Sequence, residues 1–250
     1  MDIKKYRSIT IISLTSLLSV ILGCKGETGP TGPSGPLLTG NIEGYAILYH
    51  EYDYAYPNSS GITVSLEGTT MSTMTDSTGW WKLQDITTGT YNIIFEKIGF
   101  FSKKIYSVQF VGGGTLYLNQ KNYAPVLFEL PSFTISSIKY SSTNSSINID
   151  GKISSASRFG RYIFILMDTS RLIDKNNVKF WSDIYVYSDS TSFHWSIYNN
   201  YLPVKSGEWI YLKCYPASWA PNTVWDPVIR RRITYNVGEP GTALDSILVQ

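Results

Sequence analysis

The sequence predicts an all-β protein made of two tandem β-sandwiches. Three observations carry this reading. From Gly40 onward, short runs alternate apolar and polar residues at period two, the pattern of half-buried strands. Clusters of Gly, Asn, Asp and Ser separate the runs, supplying the backbone freedom and side-chain bonding that turns require. The 250 residues are 43% hydrophobic and only 16% charged, enough apolar material for one large or two ordinary cores, which rules out global disorder.

Residues 1–23 read as a removable export signal. Lys4, Lys5 and Arg7 precede an apolar run from Ile9 to Leu22 that is diluted by Thr and Ser and too short to span a membrane. Its end, Ile21-Leu22-Gly23-Cys24, resembles the lipobox of bacterial lipoproteins. That resemblance implies that Cys24 is the lipid-modified first residue of the mature chain and that the membrane is a partner through this lipid. Without the signal, 18 basic residues face 18 acidic ones, so no global field remains to hold nucleic acid. Residues 24–39 then form a tether. Glycine recurs at every third position from Gly26 to Gly35, with proline after three of the four, which resembles a fragment of collagen repeat. So short a tract does not sustain a triple helix, and extended at about 3.1 Å per residue its twelve residues from Lys25 to Pro36 reach roughly 37 Å. Such tracts after a lipid cysteine are similar to those of envelope lipoproteins of the Bacteroides and Flavobacterium groups. The expected location is therefore the outer membrane, periplasmic or surface face left open.

Residues 40–120 form the first sandwich. Ile62, Val64 and Leu66 alternate with Thr63 and Ser65, the set Tyr91, Ile93 and Phe95 repeats the pattern, and Tyr106, Val108 and Phe110 follow, giving about seven strands. Gly40-Asn41-Ile42-Glu43-Gly44, Gly61 to Thr69, Thr75-Asp76-Ser77-Thr78-Gly79-Trp80-Trp81, Gly89-Thr90-Tyr91 and Lys97-Ile98-Gly99-Phe100 together resemble the carboxypeptidase regulatory-like domains. The resemblance implies a prealbumin-like (carbohydrate-binding-like) sandwich, a non-catalytic accessory role, and a core position for Trp81 that leaves Trp80 exposed. One departure stands out: Tyr49-His50-Glu51-Tyr52-Asp53-Tyr54-Ala55-Tyr56 lengthens the first loop.

Residues 121–131, with Pro125 and Pro131, read as a linker, and residues 132–250 as a second sandwich of immunoglobulin or fibronectin layout. Its strands are expected around Ile147–Ile149, Tyr162–Met167, Ile184–Tyr187, Phe193–Ile197, Trp209–Tyr215, Ile229–Val237 and Ile247–Val249. Residues 168–180 read as a loop because Asp174-Lys175-Asn176-Asn177 interrupts them. Ile210, Leu212 and Cys214 share one strand face, so Cys214 is expected to be a small buried hydrophobe with no disulfide partner.

Catalytic patterns are missing. There is no Gly-x-Ser-x-Gly elbow, no His-Glu-x-x-His and no paired cysteines, and His50 and His194 are far apart. No enzyme activity, cofactor or metal is expected. Asp76 reads as the bonding residue of a tight turn, and Arg231 as a partly buried guanidinium between exposed Arg230 and Arg232. The aromatic residues are more informative, because sugars present apolar faces that stack on exposed rings. Trp219 and Trp225 lie in a stretch bounded by Pro216, Pro221 and Pro227, read as a loop, and Tyr52 and Tyr54 lie in the lengthened first loop. With Trp80 they are the candidate ligand-binding residues; the alternative is that such rings pin loops to the ends of the sandwiches. The expected function is a carbohydrate- or ligand-binding accessory module of the envelope, the alternative a structural protein that packs against another envelope protein.

Overall fold

A computed structural model describes residues 35, 37–202, 204–227, 230–241 and 245–250, with side chains except at 220–222, 224, 225 and 235. The signal, Cys24 and most of the tether lie outside the described residues. In the first sandwich the strands are β1 (Thr39–Tyr45), β2 (Ile47–Tyr49), β3 (Thr63–Leu66), β4 (Ser72–Met74), β5 (Trp80–Thr87), β6 (Gly89–Glu96), β7 (Lys103–Phe110), β8 (Thr115–Tyr117) and β9 (Val126–Phe128). They form a sheet β5-β1-β8, a parallel pair β2-β9 and an antiparallel sheet β4-β3-β6-β7. The alternation read from sequence is what closes the core: Ile62, Val64, Leu66, Ile93 and Phe95 are buried from one side, and Ile42, Trp81 and Leu83 from the other. Trp81 is fully buried against the Phe95 ring, while its neighbour Trp80 is 37% exposed, as opposite faces of one strand require. At the turn before them Gly79 has φ +86°, and a Cβ there would lie 2.3 Å from the Ala46 carbonyl oxygen, so only glycine fits.

The expected linker needs correction. Residues 121–131 hold a 3₁₀ turn at Lys121–Tyr123 and then β9, whose Leu127 is fully buried in the first core. Three apolar residues between two prolines read as linker because their partner, β2, lies far away in sequence.

The second sandwich comprises β10 (Ile135–Ser142), β11 (Ser146–Ile153), β12 (Arg161–Asp168), β13 (Phe180–Val186), β14 (Ser192–Tyr198), β15 (Trp209–Asp226), β16 (Arg231–Val237) and β17 (Asp245–Leu248). A sheet β10-β11-β14 faces a sheet β13-β12-β15-β16, with β17 also on β15. First, second and fifth strands thus oppose third, fourth, sixth and seventh, a fibronectin-like division. Ile163, Ile165, Met167, Ile210, Leu212 and Cys214 meet Ile147, Ile149 and Phe193 between the sheets. Cys214 is fully buried, and burial pushes its thiol up to about 12, so it is inert, as expected.

Strand β12 is buried on both faces. Its other side, Phe164 and Leu166, is covered by Ile173 and Val178 of the 168–180 loop, together with Tyr215 and Val237. A second correction concerns β15, which continues as a strand through the stretch read as a loop around Trp219 and Trp225. Its prolines are tolerated for a local reason. Pro216 lies between the pairing with β17, which ends at Leu212, and that with β16, which starts at Ala217 and then shifts register before Asn222, so Pro221 falls in the irregular segment. Arg231, expected to be partly buried, is exposed like Arg230 and Arg232, because this end of β15 has run past its pairing with β12.

The core assignment of the two adjacent tryptophans gives a direct test. Trp81→Ala should cost about 3 to 5 kcal/mol in denaturant melts, and Trp80→Ala well under half of that. Equal losses would mean that the register of β5 is wrong.

Candidate functional site

The lengthened first loop folds back on itself. His50 N donates to the Tyr54 carbonyl at 2.8 Å, Tyr56 N donates to the Leu48 carbonyl at 2.9 Å, and Asp53 takes φ +74° at the tip. Two of its tyrosines pin it to the first sandwich: Tyr49 packs edge-on against Phe128 and Tyr56 against Phe100. The tip instead reaches the second sandwich. Glu51 is buried, and its Oε1 lies 2.7 Å from Arg161 Nη1 at the start of β12. Ser132 donates to the same carboxylate from its amide at 2.9 Å and its hydroxyl at 2.6 Å. Arg161 also lies over the rings of Tyr52 and Phe133, at 5.1 and 4.9 Å from their centroids. Burial opposes the Glu51 charge, but the hydrogen bonds from Ser132 and Arg161 outweigh it and hold the carboxyl below its usual range.

This ion pair gathers aromatic rings from both sandwiches. Tyr52 and Tyr54 of the loop meet Phe159 at 5.1 and 5.0 Å. On the second sandwich Trp219 packs edge-on against Tyr162 at 5.3 Å, Tyr162 meets Tyr185 at 5.2 Å, and Tyr185 meets Tyr187 at 5.6 Å. The Tyr185 hydroxyl donates to the Phe159 carbonyl at 3.0 Å, and the Trp219 amide donates to the Glu51 carbonyl at 2.8 Å, joining the two groups. Between them remains a cavity of about 10 Å³, lined by Tyr52, Phe159, Tyr162 and Trp219, room for a single water. A larger ligand must therefore lie on these rings. Tyr187, Tyr54 and Tyr185 offer it 77%, 44% and 38% exposed residues.

Three of the residues singled out from sequence, Trp219, Tyr52 and Tyr54, thus come together although more than 160 positions separate them in the chain. Trp80 stands on β5, paired with Tyr45, and shares no ring contact with this surface. The Trp225 backbone pairs with Arg232 in the β15–β16 ladder; its side chain, like Cys24, lies outside the described residues. Sequence reading missed Phe159, Tyr162, Tyr185 and Tyr187. The available signal was aromatic residues on alternate positions 185 and 187, on the side opposite Ile184 and Val186.

Elsewhere, Asp76 forms the expected tight turn, its Oδ1 accepting from the Thr78 amide, the Thr78 hydroxyl and the Trp80 amide. His194 Nδ1 lies 2.8 Å from Asp150 and its Nε2 lies 3.1 Å from Ser196 Oγ, which imitates a catalytic relay. The Ser196 hydroxyl, however, donates to Asn148 Oδ1, away from the imidazole, and His194 and Asp150 are solvent-exposed on a sheet face that offers a substrate no enclosure. Among the described residues no group of three or more His, Cys, Asp or Glu is placed to hold a metal ion. A separate groove of about 390 Å³ lies between the sandwiches, lined by Phe100, Leu130, Pro131, Phe133, Pro216 and Val237.

No protein-family model and no curated protein matches the chain. Among solved structures it is similar to a chain of a type II cohesin–X-dockerin complex from Acetivibrio cellulolyticus (23% identity, TM-score 0.31), over 37% of this chain and 59% of that one. It is also similar to a candidate carbohydrate binding protein from Bacteroides uniformis (16%, TM-score 0.33) and a DUF3823 family protein from Parabacteroides merdae (13%, TM-score 0.29), each over 86% of this chain and all of the other. Likenesses this distant bear on neither ligand nor partner.

The buried pair makes two measurable demands. Arg161→Ala strands the Glu51 charge and should cost about 3 to 5 kcal/mol, whereas replacing both residues by apolar ones of similar volume should cost less than that single change. Because the folded Glu51 is held below its unfolded value, its contribution is complete above the ordinary carboxylate range and is lost as pH falls through the folded value. Glu51→Gln should therefore flatten the acid limb of a stability profile, and an unchanged limb would show that Glu51 is not coupled to folding.

Proposed function

We propose that this chain is a non-catalytic binding protein of the cell envelope that holds carbohydrate on the aromatic surface shared by its two sandwiches. The observation that supports this is the continuity of the rings from Tyr54 through Phe159 to Tyr162, Trp219, Tyr185 and Tyr187. Stacking on a sugar needs flat apolar faces that are open to solvent and already ordered. Here Tyr162, Tyr185 and Trp219 sit on strands, and the rings of the loop are held by the Glu51–Arg161 pair, so little freedom is lost on binding. Asp53 and Asp183 lie near enough to Tyr162 to push its phenol up, after burial and Tyr185, and they supply acceptors for sugar hydroxyls at the same surface.

The same reading puts the protein on the outer membrane through lipid on Cys24, with residues 24–39 as spacer, as the lipobox and the Gly-x-y tract suggest. One observation favours an assembly role instead: the apolar groove between the sandwiches, with Phe100, Leu130 and Pro131 at its wall, is a surface that another protein would cover.

Glycan-array binding by the purified full chain in mild detergent separates these readings. Tyr187→Ala and Trp219→Ala should each weaken binding by at least about 1 kcal/mol, with the thermal midpoint of Tyr187→Ala unchanged because that ring is mostly exposed. If neither change alters binding, the rings are packing elements and the assembly reading takes over. For the anchor, Cys24→Ser should release the protein from membranes in cell fractionation, and a variant that still fractionates with membranes after normal processing would remove the lipid from the proposal.

A further inference from the structure

Strand β13 is paired only with β12 among the described strands, and its alternate residues set a row on the outer face of the sheet: Trp181, Asp183, Tyr185 and, just beyond its end, Tyr187. At about 3.3 Å per residue this row runs for roughly 20 Å, several times the width of one sugar ring and comparable with a short oligosaccharide. Two of its rings are braced by the neighbouring strand β12. Trp181 is stacked on the buried Phe164 at 5.4 Å and 22°, and Tyr185 rests on Tyr162. Gly160 completes the support: it has φ +76°, and a Cβ there would lie 2.3 Å from the Tyr185 hydroxyl, so this glycine leaves the place that the phenol occupies.

The charge along the row is specific in its placement. Asp183 is exposed between Trp181 and Tyr185, while Arg161 is engaged by Glu51, Lys179 by Asp168 and Lys213 lies over the Tyr215 ring; the exposed Arg158 lies over the Phe159 ring of the surface itself. A lone carboxylate between two stacking rings accepts hydrogen bonds from hydroxyls and repels another carboxylate.

We infer that the site takes a linear, uncharged glycan laid along β13, with Trp181 and Tyr187 contacting it at the two ends of the row, Tyr185 set edge-on to Tyr187 between them, and Asp183 accepting hydroxyl hydrogen bonds. This rests on the carbohydrate-binding reading and adds to it the length, the charge class and the direction of the ligand. An extended glycan is favoured over an added protein strand because the exposed side chains of Trp181, Asp183, Tyr185 and Tyr187 lie on the sheet face, away from the hydrogen-bonding edge.

Calorimetric titration of the full chain with neutral linear glucan, xylan, mannan and galactan oligosaccharides of one to six units, and with galacturonate oligomers of the same lengths, tests this. The expected result is that affinity for at least one neutral series rises about tenfold or more between the monosaccharide and the hexamer, and that galacturonate oligomers bind weakly or not at all. Trp181→Ala and Tyr187→Ala should each remove much of the length dependence, and Asp183→Asn should narrow the gap between neutral and acidic chains. Tyr187→Ala is decisive, since Trp181 also packs on Phe164 and its loss can disturb the fold. Equal affinity for monosaccharide and hexamer would overturn the extended site while leaving a compact carbohydrate site intact. Tighter binding of galacturonate would overturn the charge assignment. Failure of every glycan would remove both this inference and the reading beneath it, and binding of an extended peptide that Ser182→Pro abolishes and Tyr187→Ala spares would assign the edge to a protein partner.

Discussion

A desolvated ion pair between Glu51 and Arg161 fixes how the two sandwiches meet, and the shape of the aromatic surface depends on it. Taking two charges out of water is costly, so such a pair adds little net stability compared with apolar packing. It is, however, intolerant of misplacement, because either charge left alone strands an unsatisfied ion. That asymmetry suits a device for setting register. Tyr52 follows Glu51 directly and Tyr54 is three residues on, so a fixed carboxylate leaves the two rings few positions. The Glu51 carbonyl receives the Trp219 amide, and the same residue therefore holds rings from both sides of the junction. Ser132, which donates twice to the carboxylate and accepts from Arg161, ties the start of the second sandwich into the same network.

The rest of the surface is rigid for a different reason. The face of β12 that carries Tyr162 also carries Phe164 and Leu166, which the 168–180 loop covers. Only the part of the sheet beyond that cover, toward β13 and the junction, keeps its rings open. Local packing thus decides which aromatic residues are core and which are surface, although all of them alternate along strands in the same way.

Legibility from sequence follows the same division. Where one sheet face is buried and the other is wet, alternation gave the correct register, as at Ile62, Val64 and Leu66 and at Ile210, Leu212 and Cys214, while at Trp80 and Trp81 alternation required opposite faces and the family resemblance chose Trp81 for the core. Where a strand is short, bulged or buried on both sides, alternation fails. Strand β9 is three residues long and pairs with a distant partner, β10 shifts register between Ile135 and Ser137 and escaped notice, and the proline-containing end of β15 read as a loop. Tyr52, Tyr54 and Trp219 were legible as candidates because loops and prolines set them apart from core patterns. Tyr162 and Tyr185 were not, since a ring on a strand reads as core until the cover over its sheet is known. Nothing in the sequence paired Glu51 with Arg161, because a buried ion pair has no periodicity.

An edge strand with exposed rings is a hazard, since unpaired backbone groups beside apolar faces invite association with another chain. Strand β13 carries features that limit this. Asp183 interrupts its row of rings, Lys179 precedes it, and past Tyr187 the chain turns away at Asp189, which has φ +60°. These features act on the edge and on the length available for pairing, and they leave Tyr185 and Tyr187 exposed on the sheet face. A surface shaped for stability alone would have replaced the exposed rings with polar residues at little cost to either core, because Tyr187 belongs to neither hydrophobic cluster of the second sandwich. The exposed rings are thus kept where they add to neither core, beside an edge that is guarded against pairing.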